Sequence, residues 1–277
     1  MTLKAMSTRY ADLDRDLVQS LAKGLAVIEA FGAETPAMTL SEVARRTGIS
    51  PGSAQRILRT LASLGYVGAE EGRFSLKPRA LQLGYAYLAS LPLTSIAQPM
   101  LSALMLATDE TCSLALLDGS DVVYVARAPA RRLRRDYMAV GTRLPAHATS
   151  VGKVLLAALP PTALEALLST LPQMAQQLTP NTLTDRDAVW AAVRRAAEQG
   201  YAVNDQEAIM GLRSLGVPVT VGGRVVAAMG LSVEVVRVSR EDLEHRLLPS
   251  LRDMAASLST AISLTATPVL PASYLRL

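Results

Sequence analysis

The stretch TLSEVARRTGISPGSAQRILRTLASL, Thr39 to Leu64, reads as two helices joined by a tight turn. Thr39 and Glu42 have the spacing of a capping box, in which a hydroxyl and a carboxylate satisfy free amides at a helix start. Leu40, Val43 and Ala44 give this first helix an apolar side. Gly48 falls where the helix must stop, because glycine turns left-handed without a steric penalty. Ser50 is a good N-cap, and Pro51 suits the first helical position, where its missing N–H costs nothing. In the second helix Ala54, Ile57, Leu58, Leu61 and Leu64 recur at three- and four-residue spacing and are expected to form one buried stripe. Gly52, Gln55, Arg56, Arg59 and Ser63 fall on the other face. That face is short, polar and basic, which suits a helix entering the major groove. Ser50, Gly52, Ser53, Gln55, Arg56 and Arg59 are therefore the residues expected to meet DNA. The plainer alternative is a helical hairpin that only packs, with solvated arginines.

The flanking sequence favours the first reading. GYVGAEEGRFSL, Gly65 to Leu76, has the pattern of two short strands around a Glu70-Glu71-Gly72 turn, which would make a wing. Arg73 on that wing, and Lys77 beyond it, are within reach of phosphates. Upstream, SLAKGLAVIEAF (residues 20–31) places Leu21, Leu25, Ile28 and Phe31 at helical spacing, so a helix packing beneath the pair is expected. A winged helix-turn-helix over residues 19–78 follows. Residues 1–18 have weak periodicity and read as a loosely held arm. After Pro78 a linker helix over 79–94 is apolar around much of its circumference, which points to a dimer contact or to packing on the same domain.

Composition sets the outer limits. The chain has 277 residues, enough for two cores, and is 50% hydrophobic with 19% charged, so it is not a disordered chain. The pI is about 9.4 and the formal net charge +4. Residues 20–80 hold eight Lys/Arg against five Asp/Glu, so +3 of that charge lies in the region expected to bind DNA. One cysteine, Cys112, excludes an internal disulfide and a cysteine zinc cluster. Asp12, Asp14 and Asp16 argue against a signal peptide, and no apolar run approaches membrane-spanning length. A cytoplasmic protein without a membrane contact is expected.

From residue 95 the pattern changes. SLPLTSIAQPML (90–101) carries two prolines and reads as a boundary, with a helix from Ile96 to Thr108. SLALLDGSDVVYVARAP (113–129) is a strand, a turn at Asp118-Gly119 and a strand. HATSVGKVLLAAL (147–159) holds a helix from about Thr149. Helices over 160–169 and 185–199, a strand from Tyr201, a hairpin around Gly222-Gly223 and a final helix from Arg240 capped by Ser239 complete the domain. An antiparallel sheet flanked by helices, an α+β sensor-like domain over 95–266, is expected, with residues 267–277 as a tail.

Chemistry is sparse. Gly152-Lys153 suggests a phosphate loop, but His147 stands where the first glycine is needed and Val154 where Ser or Thr is needed. The free amides at Ser150, Val151 and Gly152 nevertheless suit an anion at a helix start. A Cys112–His147 pair lacks a third partner at a recognisable spacing, and His147 and His245 do not suggest a metal site. No catalytic residue, cofactor or metal is expected. Arg127 ends an apolar strand and is read as turned inward toward an anion. It opens RAPARRLRR (127–135), which suits a second DNA contact, a subunit contact or a solvated loop. Asn204-Asp205-Gln206-Glu207 suits either a polar ligand contact or an Asx-type loop.

The order of these pieces is recognisable. A winged helix-turn-helix, a linker helix, LPAHATSVGKVLLAALP, GYAVNDQEAIMGLRSLGVPV and VVAAMGLSV together resemble the IclR family of bacterial transcription regulators over residues 19–265. LQLGYAYLASLPL, DVVYVARAPARR and VGTRLPAHATS look most like its branch controlling aromatic-acid catabolism, the protocatechuate and p-hydroxybenzoate regulators. The resemblance implies a GAF-like sensor domain, a homodimer or dimer of dimers on an operator, and a small organic acid as effector, here an aromatic carboxylate. It implies that the carboxylate sits on backbone amides at Ser150 and Val151, with contributions from Asn204, Ser214, Gly230 and Ser232. Gly230 departs from the Asn or Ser usual there. A regulator sensing a small aliphatic acid, glyoxylate- or pyruvate-like, is the alternative. A metabolite-binding protein or enzyme with a vestigial DNA domain is a more distant one.

Overall fold

The computed structural model describes residues 18–32, 34–130, 138–170 and 177–265. The expected arm over 1–17, the arginines at 131–135 and the tail over 267–277 lie outside the described residues. The chain divides into two compact units, 1–87 and 88–277.

In the first unit α1 (Gln19–Glu29) is followed by β1 (Ala37–Thr39), α2 (Leu40–Thr47), α3 (Pro51–Ser63), β2 (Val67–Glu70) and β3 (Arg73–Leu76). The caps act as their residue types dictate. Thr39 Oγ1 accepts from the Glu42 N–H at 3.3 Å, and Glu42 Oε2 accepts from the Thr39 N–H at 2.7 Å. Hydrogen bonds from the Thr39 backbone and hydroxyl hold the partly exposed Glu42 carboxyl below its usual range. Gly48 closes α2 with φ 71°, and Ser50 Oγ accepts from the Ser53 N–H at 3.4 Å to open α3. Gly48-Ile49-Ser50-Pro51-Gly52 has the G-x-S-x-G spacing of a nucleophile elbow. It joins helix to helix rather than strand to helix, and its serine is spent on this cap.

The core of this unit is Val27, Ala30, Phe31, Met38, Val43, Ala44, Ala54, Leu58, Leu61 and Val67. Two expectations are corrected here. Leu64 is 50% exposed, because the chain leaves α3 at Ser63 and turns toward the wing. In α1 the buried residues are Ala26 and Val27, while Leu21 and Leu25 face outward beside Ile28, Ile57, Leu61 and Leu64 in a groove of about 670 Å3. β1, not anticipated, pairs with β3 to give a three-stranded sheet in the order β1-β3-β2.

A 3-10 turn at Pro78–Ala80 leads into α4 (Leu81–Ala89), then α5 (Pro92–Thr108). The second unit's helix thus starts at Pro92, not Ile96. Pro99 lies inside it without ending it, because its ring is on the exposed side while Leu93, Ala97, Leu101 and Leu104 are buried. β4 (Thr111–Asp118) and β5 (Asp121–Ala128) form a hairpin. β6 (Arg143–Pro145), a 3-10 turn (Ala146–Ala148), α6 (Ser150–Ala157), α7 (Pro161–Ser169) and α8 (Arg186–Gln199) follow. β7 (Ala202–Asp205), β8 (Leu212–Val221) and β9 (Arg224–Glu234) complete an antiparallel sheet in the order β6-β5-β4-β9-β8-β7. The last helix runs as α9 (Arg240–Asp242), a π-helical stretch (Leu243–Leu247) and α10 (Leu248–Ser263).

Register fixes which side chains share a face. Asn204 pairs with Ser214, Ser214 with Ser232, and Ser232 with Thr111. Two residues along, Gly216 pairs with Gly230, Gly230 with Ser113, and Ser113 with Arg127. Because side chains alternate along a strand, these two rows lie on one face. Further along the same face the residues become apolar: Ala115, Leu117, Val122, Tyr124 and Ala228 pack with Val151, Val154 and Leu155 of α6. α6 therefore lies with its start over the polar rows and its end over the apolar core.

Candidate functional site

Two glycines let α6 approach the sheet. A Cβ on Gly216 would meet the Ser150 carbonyl carbon at 2.6 Å, and one on Gly230 would meet Val151 Cγ1 at 2.8 Å and Ser113 Oγ at 3.1 Å. The unusual Gly230 is thus explained by space: Val151 and Ser113 occupy the volume a larger residue would take.

At the start of α6, Thr149 Oγ1 caps the Gly152 N–H at 2.9 Å, and the Lys153 N–H bonds the Thr149 carbonyl at 3.0 Å. The Ser150 and Val151 N–H groups donate to no partner among the described residues, and both residues are at least 98% buried. Ser150 Oγ and Ser214 Oγ are 2.9 Å apart, joining the helix start to β8. Ser113 and Arg127 are buried on the same face, and Ser232 is partly exposed. A carboxylate is the acceptor to which two such amides donate best, since the helix dipole also favours a negative charge there.

The structure brings Ser150, Val151, Ser214, Gly230, Ser232 and Arg127 onto this face together. Asn204 is there too, with both ends of its amide already used. Its Nδ2 donates to the Ala148 carbonyl and its Oδ1 accepts from the Glu207 N–H at 3.1 Å. It shapes the loop before α6, so the Asx-type reading of this segment holds for Asn204. Ser113 was missed in the sequence, where it looks like one polar residue at the head of an apolar strand. Its place emerges only from the pairing with Gly230 and Arg127.

Also unforeseen is a buried ion pair, Lys153 Nζ to Glu207 Oε1 at 2.5 Å. Burial pulls the Lys153 ammonium below its ordinary range, and Glu207 opposes that pull. The pair fastens α6 to the loop after β7, where the Glu207 carbonyl accepts from Thr179 and Thr182 hydroxyls. His147, 3% exposed, is held below its usual pKa by burial and by the Lys153 charge. Burial lifts the Cys112 thiol to about 12, so it is a packed side chain and not a nucleophile. Among the described residues no cluster of three or more His, Cys, Asp or Glu is placed to hold a metal ion. Nor does any single helix there have the length and hydropathy to cross a membrane.

In the first unit Gly52, Gln55, Arg56 and Arg59 of α3 are exposed, and Ser53 is half-buried. Arg73 is drawn back toward the protein: its Nη2 donates to the Ala37 carbonyl at 2.7 Å and lies 3.7 Å from Glu42 Oε2. It pins β1 to the wing while half of its side chain stays exposed.

Both units match known protein domains. Residues 20–71 match the IclR helix-turn-helix domain and residues 85–260 the bacterial transcriptional regulator IclR C-terminal domain. The chain is 42% identical to the Pca regulon regulatory protein of Pseudomonas putida over 88% of this chain and 83% of that one. It is 37% identical to the p-hydroxybenzoate hydroxylase transcriptional activator of Acinetobacter baylyi, over 89% of this chain and 93% of that one. An IclR homologue from Microbacterium hydrocarbonoxydans, solved in complex with 4-hydroxybenzoate, superposes with a TM-score of 0.74 at 25% identity, covering 89% of this chain and 100% of that one. The chain belongs to the IclR family of bacterial transcription regulators.

Proposed function

We propose that this regulator senses a small aromatic carboxylate, p-hydroxybenzoate or protocatechuate, on the face beneath α6. The observation that carries the reading is the pair of buried, unpartnered N–H groups at Ser150 and Val151. They stand over two neighbouring sheet rows, one supplying Arg127 and Ser113 and the other Ser214 and Ser232. The carboxylate takes the amides, and the hydroxyl-lined rows receive the ring hydroxyl. The names of the relatives support the same class: they regulate Pca and p-hydroxybenzoate genes. DNA is read by the exposed face of α3, with Arg56 and Gln55 on base edges and Arg59 beside them. The working form is a homodimer. α4 buries no residue in the single chain and exposes Leu81, Leu83 and Tyr85, an apolar face suited to a second copy.

A thermal-shift panel tests the effector class. A ligand at about 100 times its Kd adds roughly 2.7 kcal/mol to the folded state. The reading expects stabilisation by p-hydroxybenzoate or protocatechuate and none by glyoxylate or pyruvate. The reverse pattern transfers the site to aliphatic acids.

A further inference from the structure

Strand β5 carries an irregularity that brings two polar side chains onto one face. In the β4–β5 hairpin Leu114 pairs with Ala126 and Ala115 with Tyr124, so Val125 is an extra residue with no partner of its own on β4. An extra residue of this kind re-aims the side chains that flank it. Residues 124 and 127 are an odd number apart and would point to opposite faces of a regular strand. The bulge reverses that parity. Arg127 stands opposite Ser113, and Tyr124 packs among the residues beneath α6, on the same face.

Tyr124 is 5% exposed, yet its Oη makes no hydrogen bond to any described residue. The hydroxyl is not sealed in as His147 Nε2 is, so a ligand can reach it. A buried phenol hydroxyl ordinarily finds a partner. Burial pushes its pKa up to about 12 against the pull of the Arg127 charge, so it keeps its proton and is a donor near neutral pH.

Distance across the sheet matches an aromatic acid. Val151 lies against Gly230 on β9, and the strand order β5-β4-β9 sets β5 two strands away, roughly 10 Å at ordinary spacing. The β4 residues between them on this face, Ser113 and Ala115, are small. A benzene ring with oxygen groups at opposite ends, and a hydrogen bond at each, has a comparable length.

We propose that Tyr124 is the residue that selects a para-oxygenated ring. The effector's carboxylate lies on the Ser150 and Val151 amides, its ring crosses β4, and Tyr124 Oη donates to the ring hydroxyl oxygen beside Arg127. The assignment rests on the effector reading above and names the group that makes it specific.

Calorimetric titration of the full-length protein and of Tyr124→Phe, with p-hydroxybenzoate and with benzoate, tests this. The wild-type chain is expected to bind p-hydroxybenzoate roughly tenfold tighter than benzoate, as one buried hydrogen bond allows. Tyr124→Phe removes that preference by weakening p-hydroxybenzoate alone, with benzoate affinity and the melting temperature of the free protein unchanged. A second readout needs no substitution. In wild-type protein carrying tyrosine labelled with carbon-13 at Cζ, p-hydroxybenzoate shifts the Tyr124 signal and benzoate leaves it in place. A preference that survives Tyr124→Phe, equal weakening of both acids, or a Tyr124 signal that ignores p-hydroxybenzoate overturns the proposal. If neither acid binds the wild-type chain, the effector reading falls and takes this assignment with it. If p-hydroxybenzoate binds and shifts the Ser150 and Val151 amides while Tyr124→Phe keeps the preference, the effector reading stands and only Tyr124 is withdrawn.

Discussion

Single residues show how narrowly the space under α6 is set. Gly216 and Gly230 face the same helix, yet their substitutions differ in kind. An alanine at 216 runs into the Ser150 backbone, which cannot rotate away, whereas at 230 it meets the side chains of Val151 and Ser113. Overpacking against backbone costs roughly 1–3 kcal/mol. Gly216→Ala is expected to lose about that much in denaturant titrations and to weaken acid binding, because α6 must lift. Gly230→Ala loses less of both. Equal losses would show that α6 is not seated on β8 as described.

His147 gives a second expectation at this scale. Its pKa is lowered from 6.5, so the unfolded chain takes up the proton first as pH falls. The histidine's contribution to stability is complete above pH 6.5 and drains below it, through the lowered folded value. Wild-type protein should therefore lose more melting temperature between pH 7.5 and 5.5 than His147→Gln. The same slope in both would place His147 in contact with water.

At the scale of elements, much of the fold was legible because local chemistry decides it. Thr39, Gly48, Ser50 and Pro51 mark helix ends by hydrogen bonding and φ alone, and Thr149 caps α6 where its sequence places it. What was not legible is non-local. In α1 nearly every position from Leu25 to Phe31 is apolar, so spacing alone could not choose between the Leu21–Leu25 side and the Ala26–Val27 side. The tight fit against the neighbouring helices took the smaller residues. β1 is three residues long and exists because β3 is there to pair with it. The polar row Arg127–Ser113–Gly230 depends on strands from distant parts of the chain meeting in one register, and only Arg127 and Gly230 carried a hint of it.

Ser50→Ala and Arg56→Ala separate scaffold from recognition within one helix. Losing the N-cap of α3 costs about 1 kcal/mol of stability. It should leave the ranking of DNA sequences unchanged. Arg56→Ala should leave the melting temperature within error and cost roughly 1–3 kcal/mol of specific binding if it meets a guanine edge, with preference relaxed at one base pair. An equal loss on every sequence would make Arg56 a phosphate contact.

The whole molecule is two compact units of different chemistry. The first is small, carries much of the chain's positive charge, and presents α3 outward; the second is built around a sheet whose polar end lies under α6. Family membership supplies the link between them, transcription control through DNA. The start of α6, over the polar rows of the sheet, is where we propose that a small acid binds. The account depends most on the amides of Ser150 and Val151. The direct measurement is a titration of isotopically labelled protein with p-hydroxybenzoate, following the backbone amide resonances. Saturable downfield shifts at Ser150 and Val151, larger than those elsewhere in the second unit, are the predicted result. Binding that leaves those two resonances in place, or no binding by either p-hydroxybenzoate or protocatechuate, would contradict it.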